Sequence, residues 1–188
     1  AAESGQTCDG SRKNGTAEVK PDRKWRDRNM LEDNLAKVKK NIENACRKAG
    51  RDPEEVTLVA VSKMKPLEDI EVLRRIGQME FGENYVQELC EKEEHVSAPV
   101  HWHMIGHLQT NKVKYILDKV VLIHSVDSVH LAKQIEKEAA KRNLTAQILL
   151  QVNVAEEDTK FGMDTDEVIK MAEEISHFPH VHIRGLMT

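Results

Sequence analysis

The sequence predicts a parallel α/β protein, and more specifically a (β/α) barrel of the TIM type. Short apolar segments alternate with amphipathic helical segments after one additional N-terminal helix, which is typical of parallel sheets whose strands are joined by helices. The turns after the apolar segments are short, and polar residues stand at the C-terminal end of each segment. This placement favours a barrel over a doubly wound sheet, because the strand ends of a barrel meet at one mouth.

The individual elements follow from apolar periodicity and from the residues that begin and end them. An apolar repeat of helical spacing predicts a first helix at residues 31–49, which Gly50 ends. Strands are predicted at residues 56–61, 79–81, 100–106, 120–124, 146–154 and 181–187, the first of them buried on both faces. Helices are predicted at residues 66–76, at 109–117, after Ser128 and around 166–176. A further polar helix is predicted to follow residues 82–85 and to end near residue 95.

The composition argues against several classes of protein. The 188 residues carry 28 basic and 32 acidic side chains and no long basic run, so we expect no nucleic-acid partner. No apolar stretch reaches the roughly 18 residues of a membrane helix, so we expect no membrane association. The three cysteines are widely spaced and form no C-x-x-C pair, which favours a reducing compartment such as the cytoplasm.

The first 29 residues differ in composition from the rest of the chain. They are rich in glycine, serine, asparagine and charged residues and lack an apolar repeat, so residues 1–29 are predicted to be a disordered leader or a non-native extension. Residues 30–188 are then predicted to form one domain, which is long enough to bury a sizeable core.

Lys63 is the first candidate site residue. It follows the first predicted strand, in Val61-Ser62-Lys63-Met64-Lys65-Pro66, and parallel α/β proteins carry their chemistry at this end of their strands. We expect its stem to lie against the apolar core. Desolvation of this kind lowers the pKa of an amine, and the neutral amine is the form that makes a Schiff base. The alternative is an ordinary solvated lysine in a loop.

Polar residues also end the other predicted strands. They are Asn84, His107, Ser125, Asp127 and Asn153, followed by Met187 and Thr188 at the sixth strand. In a barrel these ends converge, so we expect one pocket. Asn84 could instead cap the helix that follows it. No glycine motif of a dinucleotide or nucleotide site follows any strand, and the histidines near the third strand do not make a zinc set, so we expect no metal.

Six segments together carry a resemblance to a known family. They are Ala60-Val61-Ser62-Lys63-Met64-Lys65-Pro66, Phe81-Gly82-Glu83-Asn84-Tyr85-Val86-Gln87-Glu88, Trp102-His103-Met104-Ile105-Gly106-His107-Leu108-Gln109-Thr110-Asn111-Lys112, His124-Ser125-Val126-Asp127-Ser128, Gln151-Val152-Asn153-Val154 and Arg184-Gly185-Leu186-Met187-Thr188. In this order, from about residue 30 to the end, the chain resembles the pyridoxal phosphate homeostasis protein family.

The resemblance implies a barrel like the N-terminal domain of alanine racemase, which holds pyridoxal 5′-phosphate (PLP) as a Schiff base on Lys63. It also implies positions for the other candidate residues. Asn84 would lie near the cofactor ring, and His107 and Met187 would line the pocket. If the protein hands the cofactor on, a further hypothesis is that Lys65 and Lys160 serve as secondary PLP acceptors.

The implied function is non-enzymatic buffering and delivery of PLP, with PLP-dependent apoenzymes as recipients and a monomer or weak dimer as the assembly. The alternative is a PLP-dependent racemase or decarboxylase-like enzyme. Such enzymes need an acid or base across the cofactor, commonly from a second domain, and Tyr85 and Tyr115 are predicted on helices without reach over it. A third possibility is a structural fragment without a cofactor.

The predicted strand count has a further consequence. A complete barrel has eight βα units, and barrels of this type commonly hold a phosphate in the loops after strands seven and eight. Six strands are predicted here, so we expect a barrel truncated after its sixth strand. Unpaired strand edges and weak PLP binding are expected with it.

Overall fold

Six parallel strands form one sheet in chain order. The computed structural model describes residues 23–153 and 165–188, with side chains from Asn29 in the first helix and from Glu167 in the last. The strands are β1 (Ala60–Val61), β2 (Glu80–Glu83), β3 (His101–Met104), β4 (Val120–Val126), β5 (Ala146–Gln151) and β6 (Val181–Met187), each paired with its neighbours along the chain. The predicted parallel α/β architecture is confirmed.

One helix precedes the strands, and the other helices lie between successive strands. They are α1 (Arg23–Ala49), α2 (Leu67–Arg75), α3 (Val86–His95), α4 (Val129–Arg142) and α5 (Thr165–Ile175), with 3₁₀ turns at Pro53–Glu55 and Thr110–Tyr115. The predicted helix at 109–117 is thus a 3₁₀ turn. Residues 23–29, which were predicted to be disordered, belong to α1, because arginine and lysine favour helix and no glycine or proline interrupts them.

The boundaries of α4 show how local sequence sets an element. The Ser128 Oγ accepts a hydrogen bond from the Leu131 backbone N–H at 3.3 Å, which is the predicted N-cap. At the other end Asn143 adopts a left-handed conformation with φ of 51°. Asparagine tolerates this conformation better than most residues, so the helix ends there.

The apolar core lies on the helix side of the sheet. Phe81, Trp102 and Met104 project from β2 and β3 into a buried cluster with Ile70 of α2 and Leu89 of α3. The Phe81 and Trp102 ring centroids are 6.0 Å apart. Because side chains alternate along a strand, the residues between them face the opposite side, which we call the inner face.

The first strand differs from its prediction. Only Ala60–Val61 is paired as a strand, and Val61 is 54% exposed, so the expectation of burial on both faces is wrong. The reason is topological: β1 stands at one end of the strand order and, among the described residues, pairs with β2 alone. The apolar sequence of this strand could not reveal that, in the part of the chain that the structure describes, it pairs on one side only.

None of the described helices combines the length and the apolar character needed to cross a lipid bilayer.

Candidate functional site

Lys63 lies in a tight turn at the C-terminal end of β1. The Lys65 N–H donates to the Ser62 carbonyl at 3.0 Å, which closes the turn, and Met64 is left-handed with φ of 59°. Lys63 and Lys65 are both exposed. This exposure disagrees with the expectation that the Lys63 stem packs on the apolar core, and within the described residues β1 pairs with β2 alone.

A buried polar network lies directly beneath this turn. The Lys92 Nζ of α3 donates to the Ser62 carbonyl at 2.7 Å, to Glu83 Oε1 at 2.8 Å and to Glu88 Oε1 at 2.7 Å. The Ser62 Oγ also donates to Glu83 Oε1, at 2.6 Å. Glu83 is fully buried, and its Oε2 has no hydrogen-bond partner within the described part of the chain. These charges hold the ends of β1 and β2 against α3.

The ends of β2, β3 and β4 are joined by close backbone contacts. A Cβ atom added at Gly106 would lie 2.5 Å from the Asn84 carbonyl oxygen, so only glycine allows this approach. The Ile105 N–H donates to the Glu83 carbonyl at 2.9 Å, and the Ser125 Oγ donates to the Gly106 carbonyl. The predicted convergence of these three strand ends is therefore seen.

Asn84 and His107 line one cleft of about 490 Å³ beside these ends. The other lining residues are Tyr85, Val86, Gln87, Gln109 and Lys112. His107 Nδ1 lies 3.1 Å from Asp127 Oδ2. Asn84 is not the helix cap considered above, because Tyr85 is the N-cap residue of α3 and supplies no side-chain cap.

The remaining candidates lie elsewhere. Met187 ends β6 and is in register with Gln151, at the opposite end of the strand order from β1. Lys65 lines a separate cavity of about 350 Å³ with Glu88 and Lys92. Lys160 lies outside the described residues. The described structure thus brings Asn84 and His107 together, whereas Lys63 is not among the residues that line their cleft.

A chain of polar contacts crosses the inner face. Glu80 Oε1 lies 2.5 Å from His101 Nδ1, and its Oε2 lies 2.7 Å from His103 Nε2. His103 Nδ1 is in turn 2.8 Å from His124 Nε2. Burial opposes ionisation of Glu80, but the hydrogen bonds from the two histidines outweigh it and lower its pKa. Burial and then the nearby His103 lower the pKa of His124 to about 4.

His124 should make the stability of the fold depend on pH. As the pH falls, His124 takes up a proton near pH 6.5 in the unfolded chain but only near pH 4 in the folded chain. Between these two pH values the unfolded state therefore binds more protons than the folded state. The contribution of neutral His124 is therefore complete above 6.5 and is lost as the pH falls toward 4. We expect His124→Gln to reduce the change in urea midpoint over this window. An equal change in His124→Gln and in the control His130→Gln, on exposed α4 surface, would contradict this assignment.

Comparison with known proteins identifies the family. Residues 34–188 match the alanine racemase N-terminal domain family. The chain is 38% identical over 160 residues to the pyridoxal phosphate homeostasis protein of Pasteurella multocida, covering 84% of this chain and 69% of that protein. The corresponding Aquifex aeolicus protein is 42% identical over 155 residues, which cover 82% of this chain and 68% of that protein. This chain belongs to the pyridoxal phosphate homeostasis protein family. The resemblance inferred from its motifs is confirmed.

Solved structures confirm the predicted barrel class. A Bifidobacterium adolescentis protein superposes with a TM-score of 0.81 at 32% identity, covering 94% of this chain and 74% of that one. PipY of Synechococcus elongatus PCC7942, solved with PLP bound, superposes with a TM-score of 0.67 at 32% identity. The match covers 78% of this chain and 68% of PipY. Alanine racemase of Clostridium difficile has a TM-score of 0.66 at 15% identity, which shows a shared fold.

Proposed function

We propose that this member of the pyridoxal phosphate homeostasis protein family binds PLP covalently through Lys63 and thereby buffers the free cofactor. The observation that carries the proposal is the similarity to PipY, a protein 32% identical to this chain that was solved with PLP bound. The likeness to alanine racemase concerns the fold alone at 15% identity. Homeostasis is therefore favoured over the alternative of a racemase or decarboxylase.

The residues at the strand ends fit the reactive end of PLP. PLP supplies an aldehyde, whose carbon bonds to a neutral amine nitrogen while its oxygen leaves as water. Lys63 offers an amine that solvent and cofactor can reach. Asn84 and His107 line the cleft at the two neighbouring strand ends and offer an amide and an imidazole for the ring substituents. Met187 is proposed to contribute an apolar contact from β6.

An absorbance titration with PLP tests this function. We expect Lys63→Ala to lose the absorbance band that PLP develops on the unmodified protein, because the amine that forms the covalent bond is gone. The matched control is Lys137→Ala, which removes an exposed lysine on α4. The control should titrate like the unmodified protein. A band of equal size and affinity in Lys63→Ala would contradict the proposal.

The finer parts of the functional interpretation stay predictions. These are delivery of PLP to apoenzymes, the use of Lys65 and Lys160 as secondary acceptors, location in the cytoplasm, and assembly as a monomer or weak dimer.

A further inference from the structure

The turn that carries Lys63 is held on both sides of that residue by the same pair of charges. On the N-terminal side, the Lys92 ammonium donates to the Ser62 carbonyl at 2.7 Å. On the C-terminal side, the Met64 N–H donates to Glu88 Oε1 at 2.6 Å. Lys92 and Glu88 are themselves an ion pair at 2.7 Å, one turn apart on α3. The backbone on either side of Lys63 is thus fixed to one rigid helix.

The conformation of the turn needs such an anchor. Met64 has a φ of 59°, a region that costs free energy for residues other than glycine and persists where surrounding contacts impose it. Its side chain is 84% exposed, so apolar packing does not supply the constraint. The constraint comes instead from the hydrogen bond that the Met64 N–H donates to Glu88, because this bond ties the strained residue to α3.

The burial of Lys92 also points to a role beyond stability. Its side chain is 9% exposed, and removing an ammonium from water is costly enough that a buried ion pair is weak evidence of stabilisation. Lys119 and Glu93 form a comparable pair at 2.5 Å, but their side chains are 29% and 34% exposed, and neither contacts the Lys63 turn among the hydrogen bonds described. What distinguishes Lys92 is that one of its acceptors is the backbone next to Lys63.

We propose that Lys92 and Glu88 are positioning residues for Lys63. They hold the peptide groups that flank Lys63, so that its amine meets the PLP aldehyde in preference to the amine of Lys65, which is two residues away and is also exposed. This inference rests on the proposed function, because it assumes that Lys63 is the residue that bonds to PLP. Neither Lys92 nor Glu88 is required to touch the cofactor.

Two measurements on the same variants test the proposal. The first is the deuterium exchange rate of the Met64 amide, which reports the anchor without PLP. The second is the ratio of pyridoxyl groups on Lys63 and Lys65 after limiting PLP and borohydride reduction, read by peptide mass spectrometry. The variants are Glu88→Ala, which removes the acceptor, and Glu88→Gln, which keeps an acceptor oxygen. Lys119→Met serves as the control that breaks a comparable ion pair elsewhere.

We expect Glu88→Ala to accelerate Met64 exchange and to lower the Lys63-to-Lys65 ratio, each about tenfold, as expected for one lost hydrogen bond to a charged group. Glu88→Gln should lie between Glu88→Ala and the unmodified protein, and Lys119→Met should change neither value. The double variant Lys92→Met/Glu83→Gln removes the buried charges together and should also lower the ratio.

The outcomes separate this inference from the proposed function. An unchanged ratio in a folded Glu88→Ala protein overturns the positioning role while leaving Lys63 as the PLP site. An unchanged Met64 exchange rate overturns the anchor itself. Failure of the unmodified protein to place any pyridoxyl group on Lys63 overturns the proposed function, and the positioning role with it.

Discussion

Replacing Lys92 by methionine is expected to lower the free energy of unfolding by about 3–5 kcal/mol, the usual effect of removing one partner of a buried ion pair. The reason is the carboxylate of Glu83, which is fully buried and already has one oxygen without a hydrogen-bond partner within the described structure. Without the ammonium, its other oxygen would keep only the Ser62 hydroxyl as a donor. Urea unfolding measures the loss directly.

The control for this prediction is Lys119→Met. Its ion pair with Glu93 has side-chain exposures of 29% and 34%, so we expect a loss of about 0–1 kcal/mol. Adding Glu83→Gln to Lys92→Met should recover much of the lost stability, because it removes the charge that was left unpaired. Equal losses for Lys92→Met and Lys119→Met would show that burial does not determine the strength of these pairs.

Replacing Gly106 by alanine is the second large effect that we expect. The new Cβ would lie 2.5 Å from the Asn84 carbonyl oxygen and 2.7 Å from its Cα, and backbone atoms cannot rotate away. The ends of β2 and β3 would have to separate. A core overpacked in this way loses about 1–3 kcal/mol of unfolding free energy, and here the displaced residue also lines the cleft.

Gly82→Ala is the matched test of that argument. Its Cβ would meet the Ile105 Cδ1 at 2.9 Å and the Val59 Cγ1 at 3.1 Å, and both atoms end side chains that can adjust. We expect thermal unfolding to show a smaller loss for Gly82→Ala than for Gly106→Ala. A larger loss at Gly82 would contradict the view that the Asn84–Gly106 backbone contact is the tighter constraint.

Local signals account for the parts of the fold that the sequence predicted well. The β6 strand spans Val181–Met187, as predicted, because Pro179 precedes a short segment of mainly apolar residues. Ser128 caps α4, since the capping hydrogen bond involves residues only three positions apart. Lys63 lies in the turn that follows β1, as predicted, and the end of an apolar segment is also a local feature of the sequence.

Long-range contacts account for what could not be predicted. Glu83 and Lys92 lie on different elements, and nothing in their sequence spacing shows that both are buried together beneath Ser62. The i, i+4 spacing of Glu88 and Lys92 does indicate the ion pair between these two residues, which is one part of the network. The sequence left a helix cap open as the alternative for Asn84, because the Gly106 contact at this residue depends on the neighbouring strand and leaves no local signal.

The location of the PLP adduct tests the central claim most directly. The unmodified chain would be incubated with PLP, reduced with borohydride and digested, and the pyridoxyl group located by mass spectrometry. We predict that Lys63 carries the main adduct at the lowest PLP concentration that labels the protein. A label spread evenly over exposed lysines such as Lys65 and Lys137, with no preference for Lys63, would contradict the assignment of this turn as the cofactor site.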